Sequence, residues 1–156
     1  MESASHDYFM NQALALAAEA ARQGEVPVGA LVVRQGEIIG QGFNRRERNQ
    51  DPVAHAEIQA IQEAACHLGS WRLTETTLYV TLEPCPMCAG AIINARIPIV
   101  VYGCDDPKAG AARSMYQLLE DPRLNHRAQV LAGVQKGRAS ALLSEFFAGL
   151  RRLGKK

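Results

Sequence analysis

The sequence predicts an α/β sandwich built around one sheet of about five strands. Segments with helical periodicity alternate along the chain with short apolar segments that are typical of strands. The chain has 156 residues, of which 47% are hydrophobic and 21% are charged. This composition supports one globular core and excludes disorder over the whole chain. Because we find no internal repeat and no linker, we expect a single domain over residues 1–156.

The first half of the chain predicts two helices and a hairpin. Apolar residues at helical spacing, short β-rich runs and turn residues identify the elements. They are an Ala-rich helix over residues 7–22 that ends at Gly24, a hairpin of strands 30–33 and 38–43, a polar loop over 44–53, and a helix that Pro52 opens and that continues to Leu68.

The second half predicts three strands, two helices and one further turn of helix. The elements are a strand over 77–82, a short helix over 85–95, a strand over 97–102, a loop rich in Gly and Asp over 103–114, a turn of helix at 115–120, a short strand over 128–131, and a basic C-terminal helix over about 140–153. Their order gives the sheet its five predicted strands.

Charge and hydropathy limit the classes of function. The net charge of +1 does not indicate a general polyanion binder. Residues 136–156 are nevertheless mostly basic, and Arg45, Arg46 and Arg48 form a second basic cluster; charge alone leaves open whether they bind phosphate or only face solvent. No apolar run approaches the length of a membrane span, and the polar start shows no secretory leader, so we expect a cytoplasmic protein.

Two segments carry residues that bind metals. His55-Ala56-Glu57 starts a predicted helix, and Glu83–Cys88 contains the C-x-x-C pair of Cys85 and Cys88. Zinc prefers imidazole and thiolate ligands, and three protein ligands leave a position for water at a catalytic site. The other two cysteines, at 66 and 104, lack a matching spacing, and we expect both to be small buried hydrophobes.

The local spacing supports one site with separate roles. Pro86 suits the first position of a helix, which places Cys85 at the cap and Cys88 in the first turn. Glu57 follows His55 by two residues, so a regular helix directs the two side chains differently. We therefore expect Glu57 to be a general base rather than a ligand. Taken alone, the C-x-x-C pair also fits a redox pair or buried sulfurs, and His-Ala-Glu also fits an ordinary helix surface.

Together, the two segments match the H-x-E…P-C-x-x-C signature of zinc nucleobase deaminases. Over roughly residues 8–147 the chain resembles the bacterial tRNA-specific adenosine deaminases. The residues that carry this resemblance lie in Glu25–Ala30, Asn44–Arg45, Asp51–Ile58, Leu78–Ala91, Lys108–Ala112, Leu124–Arg127 and Leu142–Phe147.

The resemblance implies a cytidine-deaminase-like, three-layer α/β/α sandwich with a five-stranded mixed sheet, and a homodimer with one Zn²⁺ per subunit. It implies hydrolytic deamination of the wobble adenosine in a tRNA anticodon stem-loop to inosine. His55, Cys85 and Cys88 correspond to the zinc ligands, and Glu57 corresponds to the proton shuttle beside the water that zinc activates. Four residues correspond to substrate contacts, namely Asn44, Ala56, Asp106 and Phe147.

Two other functions stay open from the sequence. One is deamination of a free base or nucleotide of the guanine or cytosine type by the same metal centre. The other is a zinc-stabilised RNA-binding module without catalysis, against which the intact Glu57 argues.

The sequence departs from the family pattern in the loop around Asp106. Arg113 stands where a glycine is expected after Gly-Ala-Ala, and Cys104 and Pro107 are unusual neighbours of Asp106.

Overall fold

The computed structural model describes the backbone of residues 2–154 and the side chains of residues 6–154. Met1 lies outside the described residues. So do Lys155 and Lys156, the two lysines that end the predicted basic segment. The elements are α1 (Glu2–Arg22), β1 (Gly29–Arg34), β2 (Glu37–Phe43), α2 (Arg46–Asn49), α3 (Ala56–Leu68), β3 (Thr76–Leu82), α4 (Pro86–Ala95), β4 (Ile99–Cys104), β5 (Gln129–Leu131) and α5 (Lys136–Arg152).

The strands form one five-stranded mixed sheet in the order β2-β1-β3-β4-β5. β1 runs antiparallel to β2 and β3, whereas β3, β4 and β5 run parallel to one another. β3 therefore occupies the centre, with Val80 opposite Ala30 on one side and opposite Tyr102 on the other. This confirms the mixed sheet that the sequence predicts.

Two helices cover each face of the sheet. Along β1, Ala30 and Val32 belong to a buried cluster that also contains residues of α3 and α4. Their neighbours Leu31 and Val33 belong to a second cluster, with residues of α1 and α5. Because side chains alternate across a strand, one short strand supplies both cores. The three-layer α/β/α sandwich is confirmed.

Small residues let α3 lie very close to β2. A Cβ atom at Gly40 would overlap the backbone of Ala60 and Ala64, and one at Gly42 would lie 2.7 Å from the Ala56 carbonyl oxygen. Neither glycine has a positive φ, so close approach rather than backbone strain explains the residue type. The contact with Gly42 fixes the first turn of α3, where the functional segment begins.

The start of α3 differs from the prediction. The helix begins at Ala56 and not at Pro52. The Asp51 side chain accepts the Val53 N–H at 3.0 Å, and Ala54 N–H donates to the Asp51 carbonyl, so Pro52 occupies a turn. His55 is consequently the cap residue of α3 rather than a member of its first turn.

The loop predicted over 44–53 contains a helix that the sequence did not indicate. The single turn α2 is held by the buried carboxylate of Glu25, which accepts the N–H groups of Glu47 and Arg48 at 3.1 and 2.6 Å. The partners are 22 and 23 residues apart in sequence. No local pattern reports such a contact.

Other predicted boundaries shift. α1 begins earlier, α5 begins at Lys136 rather than Ser140, and β4 covers Ile99–Cys104 rather than 97–102. The predicted turn of helix at 115–120 is absent, because Met115 and Tyr116 donate back to the Gly110 carbonyl. Cys104 is buried as expected, but Cys66 is exposed on α3, so that part of the prediction is wrong. None of the helices in residues 2–154 is long and apolar enough to cross a membrane.

Candidate metal centre and adjoining pocket

The two motif segments meet at the N-terminal ends of α3 and α4, on the same face of the sheet. His55 and Cys85 are the cap residues of these helices, and both have an extended backbone. Neither side chain makes a hydrogen bond that caps its own helix. The two side chains face each other instead, and the Nδ1 atom of His55 lies 3.6 Å from the Sγ atoms of both Cys85 and Cys88.

The spacing of these three atoms fits a tetrahedral metal ion. A tetrahedral zinc ion with bonds of about 2.3 Å to sulfur and about 2.0–2.1 Å to nitrogen separates those two ligand atoms by about 3.6 Å. The three ligand atoms all lie within 4.8 Å of one another. Among the described residues this is the only such group of His, Cys, Asp and Glu side chains. Three ligands leave one tetrahedral position for water or substrate.

Short contacts among these three candidate ligands shift their pKa values. The hydrogen bond from Cys88 lowers the pKa of Cys85 to about 4. The same bond raises the pKa of the Cys88 thiol, and the contact with Cys85 raises the pKa of the His55 imidazole. A thiolate at Cys85 is therefore available beside two groups that release protons when a metal binds.

Glu57 lies beside this cluster and outside it. It occupies the first turn of α3 and is only 3% exposed. Burial raises the pKa of Glu57 from 4.5 to about 7. A carboxyl group with such a pKa can take and return a proton near neutral pH, as a general acid–base catalyst must.

A pocket opens beside the cluster, and three of the four predicted substrate-contact residues line it. They are Asn44, Ala56 and Asp106, which share the lining with Glu57, His55 and Cys85. Asn44 is held in orientation, because its amide donates to the Val26 carbonyl at 3.3 Å and its oxygen accepts the Arg46 N–H at 3.1 Å. Asp106 accepts the N–H groups of Lys108 and Ala109, which closes a turn at the rim.

The fourth predicted contact, Phe147, does not line this pocket. It lies on α5 in an adjoining groove that also contains Phe146 and residues of α1 and α2. Asn44 and Arg46 line both the pocket and the groove. The groove therefore starts at the pocket and continues along α5, toward the exposed Arg151 and Arg152.

Sequence analysis missed the two buried carboxylates that build the walls. Glu25 holds α2 on one side, and Glu83 binds the loop after β4 on the other. The hydrogen bonds from Ser114 and from backbone N–H groups outweigh burial and lower the pKa of Glu83. A glutamate among apolar residues at a strand end was the available signal, but its partners were not visible from the sequence.

Arg113 fits its loop without strain. It has no positive φ, so the backbone does not require the glycine expected there. Its guanidinium donates to the Val130 carbonyl at 3.1 Å and thereby ties the loop to β5.

Comparisons with known proteins agree with this geometry. The model of the MafB19-like deaminase family matches residues 4–151. A tRNA-specific adenosine deaminase of Streptococcus pyogenes (serotype M18) is 49% identical over 140 residues, which cover 90% of this chain and 88% of that protein. The tRNA-specific adenosine deaminase of Bacillus subtilis is 47% identical over 146 residues, covering 94% and 91%.

Solved structures share the fold. One comes from a study of A-to-I editing by tRNA:A34 deaminases at the wobble position of transfer RNA. It superposes with a TM-score of 0.84 at 42% identity and covers 87% of this chain and 99% of its own. A structure of guanine deaminase from Nitrosomonas europaea has a TM-score of 0.78 at 25% identity and covers 89% and 82%.

Proposed function

The chain belongs to the tRNA-specific adenosine deaminases. We infer that it deaminates the wobble adenosine of a tRNA anticodon stem-loop hydrolytically and so converts it to inosine. The protein is thus a deaminase that acts on the amidine carbon–nitrogen bond of adenine. The observation that carries the proposal is the assembly of one imidazole, two sulfurs and a separate buried carboxyl group beside one pocket.

We assign the metal ligands to His55, Cys85 and Cys88. Their donor set and spacing suit Zn²⁺, one ion per subunit. When bound, zinc supplies the Lewis acidity that lets water act as a nucleophile near neutral pH. The chain's part is to keep the three ligand atoms converged, which the two helix starts and the packing of α3 on β2 accomplish.

Glu57 carries the proton transfers in this proposal. Its carboxylate takes one proton from the attacking water and delivers it to N1 of adenine. It then takes the second proton from the hydroxyl group now at C6 and delivers it to the departing amino group. Burial supports this role because it raises the pKa of Glu57 to about 7. Near neutral pH both the carboxylate that accepts a proton and the acid that donates one are then accessible. Water adds at C6 and ammonia leaves, so the reaction needs no further reactant.

The pocket and groove have different tasks. Asn44, Ala56 and Asp106 would contact the nucleotide that enters the pocket, with Asn44 already held by its two hydrogen bonds. Phe147 would contact the RNA that continues along the groove. Bases in single-stranded loops are recognised by stacking on aromatic side chains and by polar contacts, which suits an anticodon loop.

A homodimer in the cytoplasm completes the proposal. Exposed apolar side chains support an interface between copies; they include Val53, Met115 and Tyr116. Light scattering on the purified chain tests this expectation, because a monomer at working concentration contradicts it. The cytoplasmic assignment follows from the proposed tRNA substrate.

Deamination of a free base is the second candidate function. The similarity to guanine deaminase from Nitrosomonas europaea supports it, and the same pocket chemistry serves both reactions. The groove along α5 argues for the RNA substrate, since a free base occupies only the pocket. A binding module without catalysis is less well supported, because it leaves the buried Glu57 without a task.

The deciding experiment uses the zinc-loaded protein and an anticodon stem-loop with adenosine at the wobble position. We expect inosine at that position only, measured by nuclease digestion and mass spectrometry. Free guanine, cytidine and deoxycytidylate are assayed in parallel. Turnover of one of these together with an unchanged stem-loop overturns the tRNA assignment.

A further inference from the structure

Glu83 is a buried carboxylate that the proposed chemistry does not use. It is 2% exposed at the end of β3, two residues before Cys85. Its Oε1 atom accepts the Asp106 N–H at 2.9 Å and the Ser114 hydroxyl, and its Oε2 atom accepts the N–H groups of Ala112, Arg113 and Ser114 at 3.1, 2.7 and 2.9 Å.

All these donors belong to one segment, residues 105–114, which we term the wall loop. It leaves β4, forms a turn at Asp106 and returns so that the Ala111 N–H donates to the Pro84 carbonyl at 2.8 Å. Four of its backbone N–H groups converge on the carboxylate, and no Lys, Arg or His among the described residues forms a salt bridge with it. Glu83 thus joins the first residues of the loop to its last ones, in addition to the turn that the Asp106 side chain forms.

Gly110 shows how closely the loop surrounds this side chain. A Cβ atom at Gly110 would overlap the carboxylate carbon and both of its oxygens. The absence of a side chain therefore lets the loop close over Glu83. This contact is independent of the hydrogen bonds and indicates the same arrangement.

The wall loop also forms one side of the pocket. Asp106 and Ala109 line it together with Asn44 and Arg46, and Glu83 contributes to the same lining. One carboxylate therefore connects the substrate-facing wall to the strand end that leads into Cys85. Moving that carboxylate changes where Asp106 and Ala109 stand relative to the metal cluster.

We propose that Glu83 is a positioning residue that holds the wall loop and thereby sets the affinity for the substrate nucleotide. Both of its carboxylate oxygens are already engaged by donors of the wall loop. The proposal depends on the proposed function only for its activity measurement, and a second measurement is independent of any substrate.

The first variant is Glu83→Gln. The amide keeps the volume but turns one acceptor oxygen into a donor that faces N–H groups, so the loop loses its fixed shape. For the wobble-adenosine stem-loop we expect KM to rise by about tenfold or more, the loss that one charged hydrogen bond produces, with kcat changed less than about threefold. Zinc content stays at one ion per chain.

A second variant, Gly110→Ala, reaches the same contact from the loop and leaves the carboxylate intact. We expect the same rise in KM. Glu63→Gln is the control, because Glu63 is an exposed glutamate on α3, remote from the pocket lining, and it retains the parent kinetics.

Hydrogen exchange on the zinc-loaded protein tests the proposal without substrate. In Glu83→Gln the amides of Asp106, Ala112, Arg113 and Ser114 exchange faster, while those of β1 keep their protection. Unchanged exchange at these amides overturns the proposal even if the protein deaminates nothing. An activity loss that parallels a loss of zinc also overturns it, because Glu83 would then act through the metal segment.

Discussion

At the scale of single residues, Glu57 is subject to two opposing influences. It lies in the first turn of α3, where the partial positive charge of a helix N-terminus favours a carboxylate. It is also almost fully buried, which favours the neutral acid and raises the pKa of Glu57 to about 7. The second influence prevails, and it gives the group two accessible protonation states.

Replacing Glu57 with Gln removes proton transfer and keeps the shape of the side chain. We expect kcat on the wobble-adenosine stem-loop to fall by about 10²–10⁴-fold, the usual contribution of a positioned acid–base group. Zinc content, measured by atomic emission, stays at the parent level because Glu57 is outside the ligand cluster. A variant with normal turnover contradicts the assignment, and Glu63→Gln serves as the matched control.

Replacing Cys88 with Ser weakens the metal site and the fold together. Cys88 is fully buried, and metal binding contributes to folding when the ligands converge only in the native state. We expect zinc loss and a lower Tm by differential scanning calorimetry. Treating the parent protein with a chelator lowers its Tm in the same direction. Full zinc occupancy in the variant, at the parent Tm, rules out Cys88 as a ligand.

Residue spacing predicted which side chains would form the candidate metal centre, but not which residues hold them in place. His55, Cys85 and Cys88 stand in short motifs whose chemistry is local, and the structure brings all three together. Glu25 and Glu83 bind backbone N–H groups more than 20 residues away. Every residue except proline has a backbone N–H donor, so residue type at the distant positions could predict neither contact.

At the scale of elements, the packing of α3 on β2 fixes the position of the site. The order of helices and strands was predictable because periodicity reports which face is buried. The start of α3 was not, because the Asp51 turn competes with the helix for Pro52. The side chain of Gln59 reinforces the outcome by donating to the carbonyls of Phe43 and Ala54, at 2.7 and 3.2 Å.

Gly40→Ala tests this packing. The added Cβ overlaps the backbone of α3, so the helix must move away from the sheet. We expect the free energy of unfolding to fall by about 1–3 kcal/mol, measured by urea denaturation. In Gly149→Ala, whose added Cβ meets only the Arg152 side chain at 3.8 Å, we expect stabilisation by up to about 0.5–1 kcal/mol. Equal effects of the two substitutions would contradict the close approach.

At the scale of the whole molecule, a modest net charge conceals a local asymmetry. Arg46 stands at the junction of pocket and groove, and Arg151 and Arg152 are exposed at the end of α5. The net charge of +1 does not report where these arginines lie. The groove lining itself holds Arg46 with three glutamates (Glu25, Glu47 and Glu145), so the exposed arginines next to its Leu150–Leu153 end are the positions available to RNA phosphates.

Affinity for the stem-loop should fall as salt concentration rises. In single-stranded RNA, each phosphate that a cationic side chain neutralises adds about 0.7 to the steepness of log K against log salt. We therefore expect Arg151→Ala with Arg152→Ala to flatten the slope, measured by fluorescence anisotropy with the inactive Glu57→Gln protein. Arg72→Ala, in the exposed turn before β3, keeps the parent slope. Salt-independent binding shows that these arginines only face solvent.

The extended cap residues of α3 and α4 set the stability of the metal-free fold against metal binding. A helix start normally gains about 1 kcal/mol from a Ser, Asp or Asn side chain that caps it. At positions 55 and 85 the side chains point toward each other and make no capping hydrogen bond. A change of Cys85 to Ser therefore offers the metal-free fold a better helix cap while removing a thiolate from the candidate metal site. Capping side chains at these two positions would therefore favour the metal-free fold, whereas metal binding, which also contributes to folding, favours the side chains that are present.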